Sequence, residues 1–293
     1  MPLTGGNLQM TIMKFLGSAA TTAIAAVLLT AAPTAPAKAA TLEELKEQGF
    51  ARIAIANEPP WTAVTSDGKV SGAAPDLARA VLQKMGVKDI VASISEYGAM
   101  IPGVQARRFD MVAAGLFIKA ERCAAVAFSE PDLCDAESFM IKKGNPMGLK
   151  SFADIAKAGA RVGVVGGGTE EKLAIEAGVA REKVIVVPDP QSGSKMLQDG
   201  RIDAYALPVL SISDLLKKAD DPNLEIFAPV EGTPIFCAGV AFRKQDAALR
   251  DAYDTVLAEM KTSGEFAKIV EPYGYSAAAA MQTSREKLCG GPN

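Results

Sequence analysis

The chain has 293 residues, 49% of them apolar and 22% charged, which fits a folded protein and excludes collagen, coiled coil and disorder. Its 31 basic and 34 acidic residues leave a net charge of −3, and a nucleic-acid binder needs a basic stripe to meet phosphates, so no nucleic-acid partner is expected. The sequence contains no histidine, which removes Ser-His-Asp and Cys-His catalytic units and every His-ligated metal.

Lys14 precedes an Ala- and Leu-rich stretch over 15–32, followed by Pro33, Pro36 and Ala37-Lys38-Ala39. A basic start, a short apolar segment and a small-residue cleavage site predict a secretory signal peptide over 1–39. A membrane anchor is the competing reading. However, the segment carries Ser18, Thr21, Thr22 and Thr30 and falls short of the ~20 apolar residues of a span. Met10 and Met13 are alternative starts. No cysteine precedes Cys123, so no lipid can be attached at the cleavage site, and a cleaved, unlipidated chain points to the periplasm. Cys123, Cys134, Cys237 and Cys289 are an even set. In an oxidising compartment they predict two disulfides with three connectivities open, against the alternative of buried free thiols.

In chain order, 52–56 reads as a strand and 74–85 as an amphipathic helix, with Pro75 in its first turn and Asp76 at its positive end. A strand at 90–93, a helix at 100–106 and a strand at 111–113 complete a β-α-β-α-β run, the signature of a mostly parallel sheet with helices on both faces. The pattern restarts with a strand at 161–165, a helix at 169–177 closed by Gly178, and a strand at 184–187. A helix at 192–199 closed by Gly200 and a strand at 204–207 follow. Two such units without a long linker predict two lobes. A strand at 240–243 and a last helix at 246–261 remain, and periodicity does not assign them to a lobe.

Several segments resemble the solute-binding proteins of polar amino-acid ABC transporters. Ala54-Ile55-Ala56-Asn57-Glu58-Pro59-Pro60-Trp61 is similar to that family's first strand and binding loop, and Gly72-Ala73-Ala74-Pro75-Asp76 to its helix entry. Phe109-Asp110 through Gly115, then Glu121-Arg122 and Phe128-Ser129-Glu130-Pro131, follow its central line. Gly166-Gly167-Gly168-Thr169 resembles its second glycine turn and Gly200-Arg201-Ile202-Asp203-Ala204 its G-R-x-D-A. The Ser93–Pro102 run, Ala114–Phe117 and the Gly-Gly-Gly-Thr-Glu-Glu-Lys-Leu stretch resemble the ectoine- and hydroxyectoine-binding branch in particular. The resemblance implies an α/β, two-lobed periplasmic binding protein fold of type II with two crossings between lobes, near Ile141-Lys142 and Phe236-Cys237. Lobe one is then 40–141 plus 237–293, and lobe two 142–236. It also implies a monomer that delivers a small solute to an ABC permease, without cofactor, metal or catalysis.

Two departures from the family carry information. Arg122, which the resemblance makes the carboxylate clamp, is kept. The family's ammonium-pairing Asp is Pro208 here, and its hydroxyl residue is Phe117. An α-ammonium would then be buried without its usual partner, which is costly. Trp61, Tyr97 and Phe117 fall at loop positions that line the family's cleft, and aromatic faces attract a diffuse cation. Glu58 either accepts N–H bonds from that cation or is simply solvated. Thr169 is read as a cap of its helix, a role compatible with binding a carboxylate, because a helix N-terminus offers unpaired N–H groups. Those six residues are the expected ligand site. Gly166–Gly168 resembles a phosphate cradle, but no Lys follows in register. An enzyme on this fold would need a general acid or base, and Glu58 is the candidate.

Overall fold

The computed structural model describes residues 41–291, so the expected leader lies outside the described residues. Two five-stranded sheets organise the chain. The first runs Asp89–Ile94, Phe50–Ile55, Met111–Val112, Ala241–Phe242, Ala127–Phe128, and the second Val184–Val187, Val162–Val165, Ala204–Pro208, Glu137–Lys142, Leu224–Phe227. One strand in each sheet runs against its neighbours: Ala241–Phe242 in the first and Glu137–Lys142 in the second. In both cases it is the strand that arrives from the other sheet. The remaining strands run parallel to one another. The central ones, Met111–Val112, Val162–Val165 and Ala204–Pro208, are buried on both faces and read as near-continuous apolar runs, whereas the edge strands Asp89–Ile94 and Val184–Val187 leave Val91, Ile94 and Val186 exposed. Ile53 and Ile55 pack into one core and Ala54 into another; Ala204 and Ala206 into one, Tyr205 and Leu207 into another.

The two sheets are joined by a two-stranded ladder, Cys134–Asp135 against Phe236–Cys237. The first passage therefore comes earlier than the expected Ile141-Lys142. Glu137–Lys142 pairs along its whole length with Ala204–Pro208 and with Leu224–Phe227, and its alternating Phe139, Met140 and Ile141 fill both faces of the second sheet. A disulfide, Cys134–Cys237, ties the ladder together. A second, Cys123–Cys289, pins the C-terminal helix Arg285–Leu288 to the helix Ala120–Ala125, and no cysteine is free.

Local chemistry sets the helix ends. Asp189 accepts from the Ser192 N–H at 2.8 Å and Pro190 opens the turn, so the helix Pro190–Gln198 begins before the expected 192. The helix Ala73–Lys84 starts at Gly72 with φ +115, where a Cβ would meet the Thr62 backbone at 2.7 Å. The last long helix, Ala247–Ser263, packs into the core of the first sheet through Leu249, Tyr253 and Leu257, which settles what periodicity left open. Among the described residues no helix is long and apolar enough to cross a membrane.

Candidate functional site

The C-terminal ends of the parallel strands of both sheets meet around one cavity, the place where open α/β sheets bind ligands. The first sheet contributes Glu58 and Trp61 after Phe50–Ile55, Tyr97 after Asp89–Ile94, and Ala114, Gly115 and Phe117 after Met111–Val112. The second contributes Gly168, Thr169 and Glu170 after Val162–Val165, and Leu207 and Pro208 at the end of Ala204–Pro208. The space between these residues, including the part open to solvent, amounts to about 350 Å³.

Aromatic rings form the wall on the first side. Trp61 is 3% exposed and meets the Phe117 ring edge-on, centroids 5.6 Å apart at 77°. Phe117 stacks on Phe236 at 5.3 Å, and Tyr275 supports the other side of the indole at 4.8 Å. Gly115 lies under Trp61 at φ +72, and a Cβ there would collide with the indole. Tyr97 donates its hydroxyl to the Gly115 carbonyl at 3.1 Å, and burial pushes its phenol up to about 12. The hydroxyl is thus engaged by the protein itself.

Arg122 sits at the rim, beside Gly168 and Thr169 in the adjoining space, with its guanidinium 5.4 Å from the Tyr97 ring centroid. It donates to the Phe117 carbonyl at 3.0 Å and, across the cavity mouth, to the Gly167 carbonyl at 3.1 Å. It does not pair with its neighbour Glu121, which bonds Lys172 across the same mouth at 2.9 Å. Gly167, at φ +74, lies so close to Gly98 that a Cβ would meet its Cα at 2.6 Å. The two halves touch backbone to backbone there.

A hydroxyl and a carboxyl line the second side, and the Glu58 carboxyl faces them from the first. Thr169 is 3% exposed and its Oγ1 has no partner. The residue capping its helix is Gly168, without a side-chain bond, so the capping reading of Thr169 is corrected. Glu171 accepts from the Gly167 N–H at 2.7 Å instead. Glu58 is not simply solvated. Its carboxylate accepts from Ser211 Oγ on the opposite side at 2.6 Å, and the surrounding protein raises its carboxyl from 4.5 to about 7 by desolvation. Sequence reasoning missed Glu170, which lines the cavity, is 4% exposed, and bonds the fully buried Glu137 carboxyl. Its signal was available in the Thr-Glu-Glu run that opens the helix. Ser211 carried no signal at all. Pro208 lines the cavity and places no charge in it.

The family model for bacterial extracellular solute-binding proteins, family 3, matches residues 51–276. The chain belongs to that family. Its solute-binding relatives include the probable amino-acid ABC transporter periplasmic-binding protein y4tE of Sinorhizobium fredii (strain NBRC 101917 / NGR234). That protein is 34% identical over 289 residues, covering 95% of each chain. The crystal structure of EhuB in complex with hydroxyectoine is similar at 71% identity with a TM-score of 0.85, covering 86% of this chain and 98% of that one. The ancestral amino acid-binding protein AncCDT-1, a precursor of cyclohexadienyl dehydratase, aligns at 26% identity with a TM-score of 0.70, covering 80% and 99%. This family 3 protein therefore shares its two-lobed architecture with amino-acid binders.

Proposed function

We propose that this chain captures ectoine or 5-hydroxyectoine between two lobes, one built on each sheet, and delivers it to an ABC importer. Ectoine is a cyclic amidinium carboxylate. The observation that carries the reading is the pairing of an aromatic wall (Trp61, Tyr97, Phe117) with Glu58 and Glu170 in a cavity where Pro208 replaces the expected acid. A charge spread over a ring is stabilised by flat π faces and flanking carboxylates, whereas a compact α-ammonium finds no dedicated partner at position 208. Arg122 at the rim, with Thr169 at a helix N-terminus, supplies the carboxylate end. Likeness to the hydroxyectoine complex of EhuB supports the same solute class.

The proposed cycle is hinge closure about the Cys134–Asp135 and Phe236–Cys237 ladder. A ligand touching both lobes stabilises the closed state over the open one. No bond is made or broken. The leader over 1–39 is cleaved on export, and the mature protein works as a periplasmic monomer. A calorimetric panel of ectoine, 5-hydroxyectoine, glycine betaine, glutamine and arginine tests the proposal, with product analysis after incubation. Ectoines should bind most tightly and be recovered unchanged. A standard amino acid or betaine at the top of the panel overturns the solute, and a product overturns the binding-only role.

A further inference from the structure

Glu137 stands apart from the residues described so far. It opens the reversed strand of the second sheet, is fully buried, and apart from Glu170 neither carboxyl oxygen has a partner. Its register partner is Pro208, and opposed residues of an antiparallel pair project to the same face. Pro208 reaches the cavity and Glu137 does not. The strand thus carries a carboxyl beside the position of the missing acid, but behind the cavity wall. Of Glu137 and Glu170, it is Glu170 that reaches the cavity.

Two carboxylates in contact cannot both stay ionised in a dry site, and one shared proton is the stable arrangement. Their surroundings decide which residue holds it. Glu170 faces Arg122 and Lys119 and accepts a backbone N–H, all of which favour its charge. The charged groups that act most strongly on Glu137 are Glu170, Asp135 and Glu58, all acidic. Burial and these like charges raise Glu137 well above the usual carboxylate range.

We propose that Glu137 is a positioning residue: its buried carboxyl keeps the proton and donates it to Glu170, holding the Glu170 carboxylate ionised and oriented toward the cation in the cavity. The role of Glu170 toward a ligand rests on the solute reading above; the state of Glu137 does not.

Infrared spectroscopy of the ligand-free wild type tests the state directly. At about one pH unit above 7, where Glu58 and Asp132 have largely ionised, a carboxylic-acid C=O stretch should persist, and Glu137→Gln should abolish it. Affinity tests the role. Glu137→Gln keeps an N–H donor and should bind ectoine within about threefold of wild type, at a strength that does not change between pH 6 and 8 beyond the wild-type change. Glu137→Leu removes the donor to a charged group and should weaken binding about tenfold or more, increasingly so as pH falls and Glu170 takes up the proton. Absence of the acid band, or its survival in Glu137→Gln, overturns the proposal even if Glu137→Leu does not fold. So does a Glu137→Leu pH profile that superimposes on the wild type. If the wild type binds no ectoine, the solute reading fails while the infrared result still decides the state of Glu137.

Discussion

The two walls of the cavity are built from different chemistry on matching scaffolds. Each lies at the C-terminal ends of parallel strands in a five-stranded sheet with one reversed strand. The first wall presents three rings and Glu58, with the guanidinium of Arg122 at its rim; the second presents Thr169, Glu170 and a proline. The rings are held by other rings, Phe236 and Tyr275, and so by packing that needs no particular protonation state. The second wall depends on charge held in a dry place, through Glu170 and the Glu137 behind it. The same topology thus carries one wall built mainly of packed rings and another built around a buried pair of carboxyls.

The largest expected effect comes from the residue that joins the walls. Arg122 bonds Phe117 on one side and Gly167 on the other, and under the proposed function its loss would leave a ligand carboxylate unpaired. Arg122→Ala should cost roughly 2–5 kcal/mol of binding, about 30-fold or more. Arg122→Lys should recover only part, because an ammonium lacks the planar fork. Calorimetry that finds Arg122→Ala binding ectoine like the parent removes Arg122 from the site.

Next comes the seam itself. Gly167→Ala imposes a left-handed φ on a residue with a Cβ and drives that Cβ into the Gly98 backbone. It should cost roughly 2 kcal/mol of closure, read as weaker ligand binding. Gly178→Ala, at φ +85 but in open space, carries the backbone penalty without the seam. Equal affinity losses in the two variants would show that the close approach is irrelevant.

The aromatic wall can be sharpened by swaps that keep bulk. Phe117→Leu and Trp61→Leu should each cost about 1–2 kcal/mol if the rings face a desolvated cation. Titration with ectoine that finds both within about twofold of the parent assigns the rings to packing alone.

The last test varies pH. Desolvation raises the Glu58 carboxyl from 4.5 to about 7, so the folded, ligand-free protein holds that proton more tightly than the unfolded chain. Its contribution to stability is full below about 4.5 and is lost as pH rises through about 7. A cationic solute prefers the ionised carboxylate, so affinity should rise through the same window, by up to about tenfold per pH unit below 7. The two slopes have opposite sign, and Glu58→Gln should flatten the affinity slope and lessen the stability slope, to which Asp132 and Asp135 also contribute. Melting temperatures and affinities of parent and variant across that window check it; parallel slopes in the parent would assign the pH dependence to other groups.

The sequence by itself determined the repeated strand-helix order, because apolar runs, a Pro-Asp helix entry and terminal glycines act over a few residues. It also determined five of the six expected residues that line the cavity, together with Arg122 at its rim, since each stands at a strand end within a motif. Only the tertiary structure decided what depends on partners distant in the chain. Phe139, Met140 and Ile141 read as an ordinary apolar run, yet pairing with Ala204–Pro208 on one side and Leu224–Phe227 on the other places them wholly in the second sheet. The cysteine pairs span 166 and 103 residues, a separation at which composition distinguishes no pairing. Glu137 and Glu170 lie in different segments, and the chemistry of each follows from the other. Whether a carboxyl is charged depends on what surrounds it in space, and that is set by strand register and helix placement.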